Sequence, residues 1–261
     1  YKDWQATDIV IQAMGGMMYT IGEPDLEPIK AGGDQAQYMG GMNAFSAALA
    51  ALCYRDETGE GQHVDISLHE GIVPVLEYIL PAYSYLGAVL KRWHNRHLFS
   101  FPAEVYPCAD GYACVGASRV WEDLATILET PELNQERFQL NHSRVHHDVE
   151  FVGLLTKALA SWKKRDLFHT GQAWRFSWTY VPTVAELLED PQYVHDRFFV
   201  EVEHPDAGKH RYPGYPYRMS ESGPELRPAP RLGQHTEEVL GGRLSLGAGE
   251  IARLRQQGAI P

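Results

Sequence analysis

The chain has 261 residues, 44% hydrophobic and 22% charged, ordinary values for a globular protein long enough to bury a sizeable core. Its formal charge of −11 is spread without a long acidic run, and no Lys/Arg stripe offers a phosphate-backbone footprint, so nucleic acid is excluded as the expected partner. No apolar run reaches the roughly 18 residues of a membrane span, and no basic-then-apolar signal segment opens the sequence.

Residues 8–17 carry apolar side chains at 9, 10, 13, 14 and 17, a spacing that favours a helix, with Thr7 or Asp8 as its cap. Gly22-Glu23-Pro24-Asp25 marks a turn, and the loop after it ends in Gly32-Gly33. From Gln35 to Cys53, Met42, Phe45, Leu49 and Leu52 lie on one stripe of a helix whose other positions are mostly small, and this helix is expected to be buried. A polar turn over 55–62 leads to His63–Leu68, whose alternation predicts a strand. A helical pattern then runs to Leu80 and stops at Pro81.

Aromatic and basic residues replace Ala and Gly between Pro81 and Pro102, which reads as a linker. Residues 104–106 and 112–115 predict a hairpin through Ala109-Asp110-Gly111. Helices are expected over 120–128, 148–162 and 164–174, and Thr183 with Glu186 forms a capping box. A second hairpin is expected over 198–203 and 210–212, with helices at 236–240 and 249–257, the last stopped by Gly258. Helix, turn, strand and helix in the first part give an α/β pattern.

Asp34, after two glycines and before the small-residue helix, is the residue around which function is sought. One account is a helix N-cap, its oxygen accepting a first-turn N–H. The other is a reactive carboxylate at a helix N-terminus, where N–H donors and the dipole's positive end favour an oxyanion. Gly59-Glu60-Gly61-Gln62 lacks the pattern of a P-loop or a dinucleotide turn and reads as a turn. His142, His146 and His147 lack the spacing of a metal site, and no metal is expected. Cys53, Cys108 and Cys114 are too few for a disulfide framework and fit reduced thiols in a cytoplasmic protein. Lys91-Arg92, Arg96 and His97 read either as a surface charge cluster or as a pocket for phosphate or carboxylate.

Taken in order, several stretches resemble the family III CoA-transferases. They are Asp34 before its helix, Ala47–Leu52, Arg55, and Thr58-Gly59-Glu60-Gly61-Gln62-His63-Val64-Asp65-Ile66-Ser67-Leu68. Downstream come Ala109-Asp110-Gly111-Tyr112, Trp121, Asp190-Pro191-Gln192, Arg197, Ala229–Thr236 and Gly258-Ala259-Ile260. The resemblance spans essentially the whole chain. It implies an α/β fold with a Rossmann-like large domain, here lacking its N-terminal third, and an inserted small α+β domain. The implied division is 1–88 for the first part of the large domain, 89–189 for linker and small domain, and 190–261 for the return. It also implies interlocked homodimers.

By the same resemblance Asp34 is the covalent nucleophile of a transfer of CoA between an acyl-CoA and a carboxylic acid. CoA thioesters are then substrates, and no tightly bound cofactor is expected. Gly32, Gly33 and Gln35 are candidate backbone donors to an oxyanion, and Arg92, Arg96, His97 and Tyr106 are candidates for the vicinity of substrate or CoA. Relatives that racemise 2-methylacyl-CoA use a histidine before the aspartate matching Asp8. Here that position is Thr7, which cannot serve as such a base near neutral pH, so acyl transfer is favoured. A non-catalytic CoA-ester-binding subunit is the remaining alternative.

Overall fold

The computed structural model describes residues 3–96, 100–116 and 121–261, Trp121 by its backbone alone. The chain divides into two compact units, Tyr1–Val181 and Pro182–Pro261.

In the first unit α1 (Asp8–Met14), α2 (Gln35–Thr58) and α3 (Leu68–Ile72) pack on one another. Helix α1 buries Asp8, Ile11 and Gln12 together with Gly15, the face produced by i, i+3, i+4 and i+7 spacing. Ile9 and Met14 on its other side are exposed. Ile11, Ala36 and Ile72 form the buried centre, with Met17 and Met39 against it. Missing side chains permit the close approach, since a Cβ at Gly15 would overlap Ile72 and one at Gly40 would overlap Leu68. Helix α2 ends at Gly59, which is left-handed at φ 79 and returns its N–H to the Arg55 carbonyl, the geometry of a glycine C-cap.

Three expectations are corrected here. Met42, Phe45, Leu49 and Leu52 are exposed along with Tyr38, because α1 and α3 meet the small-residue face of α2, where Ala36 and Gly40 are buried. Residues 63–66 form no strand. Among the described residues no neighbouring strand satisfies their N–H and C=O groups, and Ser67 instead caps α3 by accepting the Glu70 N–H at 3.2 Å. The helix expected to stop at Pro81 breaks earlier, through a 3-10 turn at Val73–Leu76, and resumes as α4 (Ile79–Leu86). Pro81 lies in the first turn of α4, where its missing N–H removes no intrahelical bond.

The rest of the first unit is built on a hairpin of β1 (Glu104–Cys108) and β2 (Gly111–Val115), antiparallel from Glu104↔Val115 to Cys108↔Gly111. The short β3 (Thr179–Tyr180) pairs antiparallel with β2. Helices α5 (Trp121–Ile127), α6 (Asn141–His146), α7 (Asp148–Leu159) and α8 (Lys164–Ala173) complete it. Tyr106, Ala113 and Val115 turn inward onto Phe101, Phe151, Leu155, Leu167 and Trp178, the period-2 alternation of a sheet with one buried face. Buried Arg144 ties this core to its surroundings, donating to the carbonyls of Phe101 at 3.2 Å, Phe138 at 2.7 Å and Gln139 at 2.9 Å.

The second unit opens with α9 (Val184–Leu188), whose Thr183–Glu186 capping box is formed in both directions. Helix α10 (Pro191–Asp196) follows, capped by Asp190, and then the antiparallel pair β4 (Phe199–His204) and β5 (Gly208–Pro213). The turn expected as a helix at 236–240 is largely π-helical, over Glu238–Arg243. The chain closes with α11 (Ala248–Gln256), and Gly258 beyond it is left-handed at φ 69.

Candidate active site

The N-terminus of α2 holds two aspartates with different tasks. Asp34 is the N-cap residue by position, yet its side chain makes no capping hydrogen bond and is exposed. The cap comes from α1. Asp8 Oδ1 accepts the Ala36 N–H at 2.9 Å, although Asp8 is only 6% exposed.

Two side chains brace this cap, and a third pins the loop before it. Gln12, one helical turn beyond Asp8 and fully buried, donates Nε2 to Asp8 Oδ2 at 2.6 Å and accepts the Ala31 N–H at Oε1 at 3.0 Å. Lys30 places Nζ 3.3 Å from Asp8 Oδ2 and donates to the carbonyls of Ala31, at 3.2 Å, and Gly33. Gln35 donates Nε2 to the Gly32 carbonyl at 2.7 Å. Burial pushes the Asp8 carboxyl upward, but the hydrogen bonds from Gln12 and Lys30 and from the N–H groups of Ala36 and Gln37 outweigh it. The net result lies below the usual aspartate value, as for a carboxylate accepting several donors.

The loop from Lys30 to Asp34 is thereby polarised. The carbonyls of Ala31, Gly32 and Gly33 are each occupied by a side-chain donor. Among the described residues the N–H groups of Gly32, Gly33 and Gln35 donate to no protein acceptor. Gly33 is left-handed at φ 70, a conformation costly for a residue with a Cβ. A loop with occupied carbonyls and open N–H groups beside a helix N-terminus is receptive to negative charge.

The other candidates lie elsewhere in the first unit. Arg92 and Arg96 line a cleft of about 370 Å³ with Thr20, Tyr78, Lys91 and Trp93, and Asp34 is not on its wall. Arg92 donates to three backbone carbonyls, those of Glu23 at 3.1 Å, Tyr19 at 3.2 Å and Leu26 at 3.1 Å, and so clasps the 19–26 loop. Arg96 pairs with Glu104 at 2.9 Å and Asp148 at 2.6 Å. Tyr106 is buried in the core and donates its hydroxyl to Glu104 Oε2 at 3.0 Å. Burial, then the Glu104 charge and its hydrogen bond, push this phenol far above the usual tyrosine value, so it stays a donor. His97 lies outside the described residues. Among the described residues no His/Cys/Asp/Glu group is arranged to hold a metal, and Cys53, Cys108 and Cys114 are free.

The sequence singles out Asp34 and its glycines as candidates but assigns no role to Gln12 or Lys30, and it offers Asp8 only as one of two possible caps of its own helix and as the match to an aspartate of the racemases. A usable signal was present: Asp8 and Gln12 stand four apart, hence on one face of an otherwise apolar helix.

A site of this kind, an exposed carboxylate held at a glycine-flanked helix N-terminus, suits acyl chemistry on an anionic substrate. The family model for CoA-transferase family III matches residues 1–236, and the chain belongs to that family. Its relatives include human succinyl-CoA:glutarate CoA-transferase, 29% identical over 89% of this chain and 54% of the relative. Succinate–glutarate CoA-transferase of Agrobacterium fabrum is 33% identical over 92% of this chain and 61% of the relative. Formyl-CoA:oxalate CoA-transferase of Streptomyces avermitilis is 28% identical over all of this chain and 68% of the relative. The chain thus spans about half to two thirds of these relatives. A CAIB/BAIF family protein from Brucella suis has the same fold, with a TM-score of 0.79 at 29% identity, over 95% of this chain and 64% of that one. No described helix is long and apolar enough to cross a membrane.

Proposed function

We propose that the intact protein transfers CoA from an acyl-CoA donor to a carboxylic acid acceptor, with Asp34 as covalent nucleophile. The observation that carries this reading is the division of labour at α2, where Asp8 caps the helix and the Asp34 carboxylate is exposed and makes no cap. Family membership and the relatives' names support the same chemistry, and those names point to short dicarboxylic acids as the acceptor class.

In the proposed cycle an Asp34 oxygen attacks the thioester carbonyl, and the CoA thiolate leaves as a mixed anhydride forms. The thiolate then attacks the aspartyl carbonyl, giving an aspartyl–CoA thioester and releasing the donor acid. An acceptor carboxylate attacks that thioester, forming a second anhydride and expelling the thiolate. The thiolate takes the acceptor's acyl group, and free Asp34 is restored. Each difficult exchange becomes two easier ones. The open N–H groups at Gly32, Gly33 and Gln35 are the proposed donors to the oxyanions, a contribution of about 3 kcal/mol per well-placed donor. CoA thioesters are substrates here, with no resident cofactor. The setting we propose is cytoplasmic, in an interlocked homodimer, with the large domain at 1–88 and 190–261 interrupted by a small one at 89–189.

The test is mass spectrometry of the protein incubated with an acyl-CoA and hydroxylamine. A hydroxamate at Asp34, absent from a transfer-dead Asp34→Ala variant, is the expected result. Undiminished transfer by Asp34→Ala would end the proposal.

A further inference from the structure

We infer that Asp8, braced by Gln12 and Lys30, is a positioning residue for Asp34: by capping α2 from a neighbouring helix it keeps the Asp34 carboxylate out of the capping role. The inference rests on the nucleophilic role proposed for Asp34 and adds a residue to it.

An aspartate at an N-cap ordinarily turns its oxygen back onto the N–H of the second or third helical residue. A carboxylate held in that way is directed at its own helix, and its lone pairs are stabilised by the bond, which lowers its reactivity toward a carbonyl carbon. At α2 the second N–H, that of Ala36, is taken by Asp8 at 2.9 Å, and the Gln37 N–H also acts on Asp8. The two N–H groups that an N-cap oxygen ordinarily reaches are therefore engaged by Asp8, and the Asp34 side chain makes no cap.

The competing carboxylate is fixed from three directions. Gln12 reaches it from α1 at 2.6 Å, Lys30 from the loop at 3.3 Å, and Ala36 from α2. The same Gln12 and Lys30 side chains hold the Ala31 N–H and the Gly33 carbonyl, so they also set the path of the loop that delivers Asp34. Burying a charged aspartate and a glutamine in so small a core is costly unless every polar atom is partnered. Here Asp8 and Gln12 partner each other, and their remaining partners are Lys30 and the N–H groups of Ala31 and Ala36.

The test compares Asp8→Asn, Lys30→Gln and Asp34→Ala in the intact protein. Asp8→Asn keeps one oxygen for Ala36 but sets an NH2 group against two donors, Gln12 Nε2 and Lys30 Nζ. The expected result is a fall of about 10²-fold in kcat and in the rate of hydroxylamine-trappable adduct formation at Asp34, the scale of a misplaced reactive group. KM for the acyl-CoA stays within about twofold, the pattern of a loss in the chemical step. Lys30→Gln, at a partly exposed position, is expected to lose about tenfold by the same measure and serves if Asp8→Asn does not fold. A folded Asp8→Asn or Lys30→Gln variant with lower melting temperature but unchanged kcat and adduct rate would overturn the inference while leaving the nucleophile in place. Transfer surviving in Asp34→Ala would remove the nucleophile and the inference with it.

Discussion

Alanine in place of Gly15 should destabilise the platform on which Asp34 stands, whereas alanine in place of Gly41 should stabilise it. At Gly15 φ is −77, so backbone strain plays no part and the effect is steric. The added Cβ would overlap Ile72 Cγ2, on a fully buried residue whose β-branched side chain has little rotameric freedom to retreat. Overpacking of this kind costs about 1–3 kcal/mol. Gly41 lies inside α2 with open space where its Cβ would be, so alanine there gains up to about 1 kcal/mol of helix propensity. The assay is urea denaturation followed by circular dichroism, comparing midpoints at constant m. The same substitution should move the midpoint down at one glycine and up at the other. A Gly15→Ala protein as stable as its parent, or a destabilised Gly41→Ala protein, would refute the packing of α1 on α3 and the exposure of that face of α2.

Further outcomes follow from other contacts. Arg92→Met removes the three hydrogen bonds that clasp the 19–26 loop, each worth about 1 kcal/mol, so chymotrypsin should cut at Tyr19 or Leu26 about 10²-fold faster, read from a gel time course; an unchanged rate would count against the clasp. Tyr106→Phe leaves buried Glu104 without one donor and should cost about 1–2 kcal/mol in the denaturation midpoint. The Asp8 carboxyl sits below its ordinary value in the folded protein, so its stabilisation is present above the unfolded pKa of about 4 and is lost as pH falls through the lower folded pKa. Denaturation midpoints measured from pH 7 to pH 3 should therefore fall less steeply in Asp8→Asn than in the parent.

Local signals in the sequence located much of the structure. The Gln35 helix, the β1–β2 and β4–β5 hairpins and the Thr183–Glu186 box depend on neighbours a few residues away, and each formed where its pattern stands. The failures involved tertiary partners. A stripe of Met42, Phe45, Leu49 and Leu52 is indistinguishable by periodicity from a buried face, yet α1 and α3 require the close approach that only the Ala36 and Gly40 side of α2 permits. The 63–66 alternation specifies which side chains share a face but cannot supply a strand to pair with. At the site, the Asp34-glycine pattern is local and legible. The cap from Asp8 is not, because it joins residues 28 apart whose meeting depends on how α1 packs.

Isotope transfer gives the most direct test of Asp34 as nucleophile, since the proposed cycle exchanges oxygen between acids and enzyme. The donor acid leaves with an Asp34 oxygen, and Asp34 is restored with one from the acceptor. Turnover with an acceptor acid labelled by oxygen-18 in both carboxylate positions should make the peptide containing Asp34 about 2 Da heavier after one cycle and about 4 Da heavier after many. Continued CoA transfer with no oxygen-18 in that peptide would contradict the account.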